Sequence, residues 1–408
     1  MKRGLSCDGP KDTTWINQNT RFPPSPPSEH QLPKLTLPAD LSLAAFESHI
    51  CLAYTRKTLL RGGSIDVACN MVPFSNGIID ETANPGIALL RNAILSLAIT
   101  FYGSQHRQLD IRNRGYQQYG QVLRQLNAHL ALPRFQTSIE TILTAFTCTI
   151  LEIFLPTGPD NFLKHVRGLE TILEASGPPE SLDNDTLEIF HGLRLMSIVG
   201  GLAMSRPSLY SQKVWKDLPP AKIDEAGLLR HRIFDILADG TRLRYERDIA
   251  ISTGSQSRLI SLALETRLLL EKLEDARADW VAFNASELGE STPIVGMETR
   301  IANHASATVN MLYNTTLICL SEIMMSLEPS LAQKHGSVRN AAALKITKCL
   351  EFKLHAQREG APESNTIAFV ATKVAWQALG GFNSPEGRKL AKVVKSMVKD
   401  VSAQGAWA

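Results

Sequence analysis

The side chains best suited to metal or nucleophilic chemistry are scattered along this sequence. Its six cysteines contain no Cys-x-x-Cys pair and stand at Cys7, Cys51, Cys69, Cys148, Cys319 and Cys349. The ten histidines are dispersed too, and none has a second His, Cys or Asp at the spacing of metal ligands. Because structural zinc needs four converging ligands, the spacing predicts neither a zinc site nor a disulfide framework.

Motifs of the common enzyme classes are also missing from the sequence. It has no G-x-G-x-x-G, no G-x-x-x-x-G-K-[ST], no H-E-x-x-H, no G-x-S-x-G and no acidic pair of the DDxxD type. Five of the cysteines, all except Cys7, fall on apolar helix faces, where cysteine behaves as a small hydrophobic residue. We therefore do not expect an enzyme or a reactive thiol.

Two polar residues in the middle of the chain could have a role in binding. Glu152 lies among Leu151, Ile153 and Phe154, so we expect a buried or half-buried carboxylate. An ion pair with Arg167 is the favoured interpretation, and ligand binding is the alternative. His165 is interpreted as a histidine on the polar surface rather than as a catalytic group.

A cationic stripe near the C-terminus combines Arg388, Lys392, Lys395 and Lys399 at spacings of four, three and four residues. Such a stripe is compatible with a phosphate or acidic partner. A solvated face of an amphipathic helix is the favoured interpretation, because Leu390 and Val394 lie on the other side.

Helices have to position these residues, because apolar side chains recur at steps of three and four from Asp40 onward. Pro156 and the run Gly177-Pro178-Pro179 are expected to end two of the helices, and Asp160 to cap the start of one. No convincing strand pattern occurs, so the predicted fold is all-α. The predicted helices lie near 42–60, 85–103, 107–131, 138–155, 160–175, 185–203, 226–248, 256–284, 297–327, 336–357, 366–379 and 386–400.

Composition sets the organisation of the 408 residues. Prolines crowd the region before residue 38, so we expect 11–38 to be a disordered linker after a short segment 1–10. A large helical domain is predicted over 39–400, followed by a tail at 401–408. The net charge of +3 excludes a bulk polyelectrolyte, and we expect no signal peptide and no membrane partner.

The N-terminal residues carry the first specific signal. Lys2-Arg3-Gly4-Leu5-Ser6-Cys7 resembles the end of the fungal Zn2Cys6 binuclear cluster, which closes as Cys-x-x-Cys-x6-Cys with Lys-Arg-Gly-Leu often ahead of the last Cys. In that alignment Cys7 is the sixth cluster ligand, and the fifth would stand at position zero. A single cysteine cannot hold structural zinc.

The resemblance continues downstream into the helical domain that follows the cluster in this family. Tyr116-Gln-Gln-Tyr119 followed by leucines is similar to one helix of that domain, and Thr141–Phe154 is similar to its L-x-x-x-L-x-x-x-E helix. The segment from His165 through Gly168 to Gly177-Pro178 resembles the W-x-x-H-x-x-G-A-x-x-L-L-x-x-x-G-P signature, with Phe162 in place of Trp and Leu169 in place of Ala. Trp215-Lys-Asp-Leu-Pro219 is similar to a Trp-x-x-x-Pro loop. The chain is thus identified as a member of the Zn2Cys6 transcription factor family.

The resemblance implies a nuclear transcription regulator. Its partners would be DNA, if the cluster is complete, and a second copy or other cluster-bearing regulators; its targets would be metabolic or specialised-metabolite genes. Lys2 and Arg3 would contact phosphate, and Glu152, His165, Gly168, Gly177 and Pro178 would have structural roles. No cofactor is expected in this chain, because zinc requires the missing upstream cysteines.

Three explanations for the isolated Cys7 stay open. The start codon of the gene has been placed too late, or a first exon was missed. Alternatively, the chain is a natural regulator that acts without its own cluster, through cluster-bearing partners or effector ligands. The third is an all-α enzyme or ligand-binding module, for which the sequence offers no pocket residues.

Overall fold

The protein is built from helices, as the spacing of its apolar residues predicts. The computed structural model describes residues 46–60, 62–74, 84–158, 160–221, 224–289, 300–356 and 366–396. Over these residues the secondary structure is helical and contains no β-strand, which confirms the all-α prediction. The predicted segments 1–10, 11–38 and 401–408 lie outside the described residues.

The α-helices follow one another in this order. They are α1 (Glu47–Thr58), α2 (Ser64–Met71), α3 (Pro85–Gln105), α4 (Leu109–Leu130), α5 (Pro133–Gln136), α6 (Ile139–Phe154), α7 (Asn161–Ser176), α8 (Asn184–Met204), α9 (Lys213–Lys216), α10 (Glu225–Ser252), α11 (Gln256–Glu287), α12 (His304–Leu327), α13 (Ala332–Ala356), α14 (Thr366–Ala378) and α15 (Pro385–Ser396). Each helix predicted from the sequence has a counterpart here. The short helices α2, α5 and α9 were not predicted, because they have too few residues to show a period.

Breaks and caps explain most of the helix ends. The Asn and Asp residues at two N-caps show the principle: the Asp183 carboxylate accepts from the Thr186 N–H at 2.8 Å, and the Asn303 side chain accepts from the Ser306 N–H at 2.9 Å. The second cap starts α12 at His304, later than the predicted start near 297. Asp160 does occupy the N-cap position of α7, as predicted, but it does not cap the helix with its side chain. Its backbone is not extended (φ −110°, ψ 1°), and its side chain makes no cap bond.

Helix α6 is buried all round rather than on one face. Every residue from Thr141 to Phe154 is buried, whereas apolar side chains at steps of three and four predict the burial of one face only. The threonines fit this environment because their hydroxyls bond within the helix, as Thr147 does to the Leu143 carbonyl at 2.7 Å. Helix α6 is therefore a central element of the core, packed against α3, α4 and α7.

A second apolar cluster lies towards the C-terminus. Helix α12 packs against α10 and α11 on one side and against α13 and α14 on the other. Cys349, Leu390 and Val394 are buried in this second cluster, while Lys392 and Lys395 of α15 are exposed. The predicted amphipathic character of α15 is confirmed over the described residues, and Lys399 lies outside them.

Two of the described helices, α3 and α8, are long and apolar enough to cross a membrane by length and composition. More than half of the apolar window of each is buried inside the protein, at 56% for α3 and 67% for α8. Burial of this kind is typical of core helices, whose apolar surface other helices cover.

Glycine allows α3 and α4 to approach closely. A Cβ added at Gly115 would stand 2.6 Å from the backbone nitrogen of Thr100 and 2.2 Å from its hydroxyl oxygen. Further along α4, a Cβ at Gly120 would meet nothing within 4 Å. Gly115 and Gly120 therefore provide a crowded position and an open control position on the same helix.

We expect Gly115→Ala to lower the free energy of unfolding by about 1–3 kcal/mol, because the helices would have to separate. Gly120→Ala should raise it by about 0.5–1 kcal/mol, since alanine favours the helix and has room there. Urea denaturation of both variants measures the difference. Equal stabilities would show that the helices do not approach as described.

Candidate functional site

The residues predicted at the N-terminus lie outside the described structure. Cys7, Lys2 and Arg3 precede residue 46, so the proposed metal and phosphate roles stay predictions. Among the described residues, no group of three or more His, Cys, Asp or Glu side chains is placed to hold a metal ion.

The five cysteines in the described region do not fit a zinc cluster. All are buried and lie in α1, α2, α6, α12 and α13. Burial raises the pKa of the Cys148 thiol to about 12, and raises the pKa of Cys349 to about 12 as well. Thiols with so high a pKa stay protonated at neutral pH. The burial of all five confirms the prediction that they are core residues.

Glu152 forms the centre of a buried hydrogen-bond cluster. Tyr119 of α4 donates its hydroxyl proton to Glu152 Oε1 at 2.9 Å. Thr157, just after α6, donates from its hydroxyl to Oε1 at 2.6 Å and from its backbone N–H to Oε2 at 2.8 Å. The carboxylate therefore has three donors, and it joins α4, α6 and the turn that leads to α7.

His165 completes this cluster from α7. Its Nε2 lies 2.8 Å from the Tyr119 hydroxyl oxygen, and since the Tyr119 proton points to Glu152, His165 is the donor. Burial lowers the pKa of His165, although Glu152 opposes the shift, so the ring is neutral with its proton on Nε2.

Two predictions about this cluster were therefore wrong. His165 is half-buried rather than a surface residue, and Glu152 does not pair with Arg167. The Arg167 guanidinium is exposed and approaches the Met204 sulfur at 3.8 Å. Arg167 lies two positions beyond His165, which turns its side chain to a different face of α7.

The remaining signature residues of α7 differ in what they do. Gly177 follows the helix with φ 72°, a left-handed conformation that favours glycine, and Pro178 comes directly after it. Gly168 is exposed, and a Cβ there would meet nothing within 4 Å. It lines a wide groove of about 820 Å³ beside Lys164 and Arg167.

A separate cavity of about 220 Å³ lies between α2, α6, α8 and α10, and sequence reasoning missed it. Its apolar wall includes Phe146, Ile150 and Phe154 of α6 together with Phe234 of α10. The polar side chains on its wall come from α2, α8, α10, α12 and α14; they are Ser64, Glu188, His191, Arg194, Arg230, His231, Thr308 and Thr366.

Arg194 is the most unusual residue of this cavity because it is only 1% exposed. Its Nη2 forms an ion pair with Asp235 of α10, and its Nη1 lies 3.5 Å from His231 Nδ1. The guanidinium carbon stands 5.6 Å from the centre of the Phe234 ring and 6.0 Å from that of Tyr210. Nε is buried and has no hydrogen-bond partner.

The two histidines of the cavity are neutral. Burial, together with the nearby Arg194 and His191, lowers the pKa of His231 to about 4. Because Arg194 only donates, His231 Nδ1 is the acceptor, and its proton resides on Nε2, 3.7 Å from Asp235. Burial also lowers the pKa of His191, whose Nε2 donates to the Pro219 carbonyl at 2.6 Å.

Comparison with known protein families shows which family the chain belongs to. The profile described as the fungal-specific transcription factor domain matches residues 70–369 of the 408. The chain belongs to this family. No curated protein and no solved structure gives a match.

The family match gives the site its context. Fungal-specific transcription factor domains belong to transcription regulators and not to enzymes. The Glu152 cluster lies within the matched residues, as does most of the cavity, except for its lining residues between Leu59 and Ile65, which precede residue 70. One sequence signal for the cavity was available: Arg194 is a lone cation in an apolar stretch of this fungal-specific transcription factor domain, between Leu193 and Leu195.

We expect Glu152→Gln to lower the free energy of unfolding by about 1–3 kcal/mol. An amide has one acceptor oxygen, so the new NH2 group would face one of the three donors. Urea denaturation measures the loss, and Glu174→Gln on the exposed side of α7 is the control. If both variants are equally stable, the cluster does not hold the helices.

His231 should make stability depend on pH. Its pKa is about 4 in the folded chain and 6.5 when unperturbed, so between these values only the unfolded chain takes up the proton. As pH falls from 6.5 towards 4, His231 therefore lowers the free energy of unfolding by up to about 1.4 kcal/mol per pH unit.

The variant His231→Gln should show a shallower fall in stability than the parent chain over that range. Denaturation curves at several pH values measure the slope, with His49→Gln as the exposed control. An unchanged slope in His231→Gln would contradict the lowered pKa.

Proposed function

We propose that this transcription regulator acts in the nucleus and contacts DNA through a Zn2Cys6 cluster of which Cys7 is the last ligand. The other five cysteines would have to come from sequence outside the 408 residues, since the described cysteines are buried singly in different helices. The family match over residues 70–369 is the observation that carries the proposal. The order of the segments supports it, because a Lys-Arg-Gly-Leu-Ser-Cys sequence and a proline-rich stretch precede the matched domain.

The regulated genes are proposed to serve metabolism, including specialised metabolites. This part of the proposal rests on the resemblance alone. A second copy of the chain, or another cluster-bearing regulator, is the proposed protein partner. A chain without its own cluster would then reach DNA through the cluster of its partner.

Zinc analysis and DNA binding test the proposal on two forms of the protein. We expect the 408-residue chain to bind neither two zinc ions nor a specific DNA site, because one thiolate cannot complete a tetrahedral site. A form extended by in-frame upstream genomic codons should bind two zinc ions and a defined DNA site. In the extended form, Cys7→Ser should abolish zinc stoichiometry and DNA binding together, whereas Cys51→Ser, at a buried core position, should retain both.

Three outcomes would contradict the proposal. Stoichiometric zinc and nanomolar DNA affinity in the 408-residue chain would show that its own residues form the site. Upstream codons that contain no Cys-x-x-Cys sequence would refute a cluster in cis. In that case a pull-down with a cluster-bearing regulator decides whether the chain works through partners, and failure there would refute the proposed partner as well.

A further inference from the structure

The cavity between α2, α6, α8 and α10 is lined by two kinds of group. Phe146, Ile150 and Phe154 give it an apolar wall along α6, and Phe234 extends that wall from α10. The guanidinium of Arg194 lines the same cavity and lies 5.6 Å from the centre of the Phe234 ring. Pockets that bind small molecules have this combination of a mainly apolar lining and a few placed polar groups.

Arg194 has more hydrogen-bond donors than the protein uses. A guanidinium carries five N–H groups, and the structure pairs Nη2 with Asp235 and Nη1 with His231. Nε has no partner although its atom is buried. A buried donor without an acceptor is unfavourable, so an acceptor bound beside the guanidinium would be favoured.

The start of α2 adds further donors to the same cavity. Gly63 precedes the helix with φ 73°, and no side chain caps the first turn. The first N–H groups of a helix have no acceptor within the helix, and they lie at its positive end. Glu188 also lines this part of the cavity, with Oε1 3.8 Å from where a Cβ on Gly63 would stand, so an anionic group belongs at Arg194 rather than here.

We propose that this cavity binds a small monocarboxylic acid whose apolar body packs against α6 and whose carboxylate accepts hydrogen bonds from Arg194. Charge-assisted hydrogen bonds to a carboxylate are stronger than those to a neutral oxygen, and an arginine is well suited to form them. An ammonium group in the same place would face the guanidinium and be repelled. The proposal goes beyond the regulatory function, because it concerns binding by the helical domain and needs neither zinc nor DNA.

The volume of the cavity sets the size of a suitable probe. An apolar cavity of about 150 Å³ accommodates benzene. At about 220 Å³, this cavity has room for one ring and a short chain that ends in the acid group. 3-Phenylpropanoic acid has this size and shape, so it serves as the probe.

Calorimetric titration of the 408-residue chain with three matched probes tests the assignment. 3-Phenylpropanoic acid, 3-phenylpropan-1-ol and 3-phenylpropylamine share one apolar body and differ in the charge of the head group. We expect the acid to bind about tenfold or more tightly than the alcohol, and the amine to bind more weakly than either. Equal affinities of the acid and the alcohol, or no binding of the acid at millimolar concentration, would overturn the proposal.

Two variants locate the acid group. Arg194→Lys keeps a positive charge beside Asp235 but removes the planar set of donors, so acid binding should weaken about tenfold. The double variant Arg194→Met with Asp235→Leu removes both charges without leaving one unpaired, and it should bind the acid and the alcohol equally. Arg232→Lys, at an exposed ion pair on α10 outside the cavity lining, is the matched control and should leave the affinities unchanged.

The outcomes separate the carboxylate contact from simple apolar binding. Unchanged preference for the acid in both Arg194 variants would overturn the assignment of Arg194. Should Arg194→Lys fail to fold, the double variant gives the answer; should both fail, the comparison of acid, alcohol and amine on the unaltered chain still decides. None of these results depends on whether the regulator binds DNA.

Discussion

Burial of one guanidinium constrains the middle of this structure. A charge that is removed from water is costly unless it is paired, and Arg194 is almost completely buried. Its ion pair with Asp235 fixes α8 against α10, and the rings of Phe234 and Tyr210 lie near the same cation. Tyr210 in turn donates its hydroxyl to the Phe190 carbonyl at 2.6 Å, which holds the segment after α8 against that helix. The position of the cavity follows from these contacts.

Two buried carboxylates fix the positions of the neighbouring helices. Glu152 joins α4, α6 and the turn before α7 through Tyr119 and Thr157. Glu170 of α7 accepts from the Ser197 hydroxyl of α8 and pairs with Arg206 just beyond that helix. Apolar helix faces tolerate small shifts, but a buried carboxylate loses its donors when its helix moves. These groups therefore favour one arrangement of α4 to α8.

The sequence predicted much of the secondary structure and little of the site. Helix ends at Pro156 and Gly177 were predictable, because a proline ring or a left-handed glycine acts within one turn. The partners of Glu152 were not predictable, since Tyr119 lies 33 residues before Glu152 and only packing brings α4 beside α6. The partial burial of His165 was not predictable either, because it too depends on how the helices pack. Asp160 failed as a cap because a suitable residue type does not ensure the extended backbone that a cap needs.

What the sequence by itself determined is the helical class, the positions of most helices, the burial of five cysteines and the family resemblance that the comparison then confirmed. These properties depend on residue type and on spacing within a few turns. The tertiary structure alone decided which charges are buried, which partners they have and where a cavity forms. The cavity is lined by residues from segments that are far apart along the chain, namely 59–60, 62–65, 146–154, 188–196, 220–221, 227–234, 308 and 366–367. Only the packing of their helices, fixed by groups such as Arg194, brings an apolar wall and a cation together in one cavity.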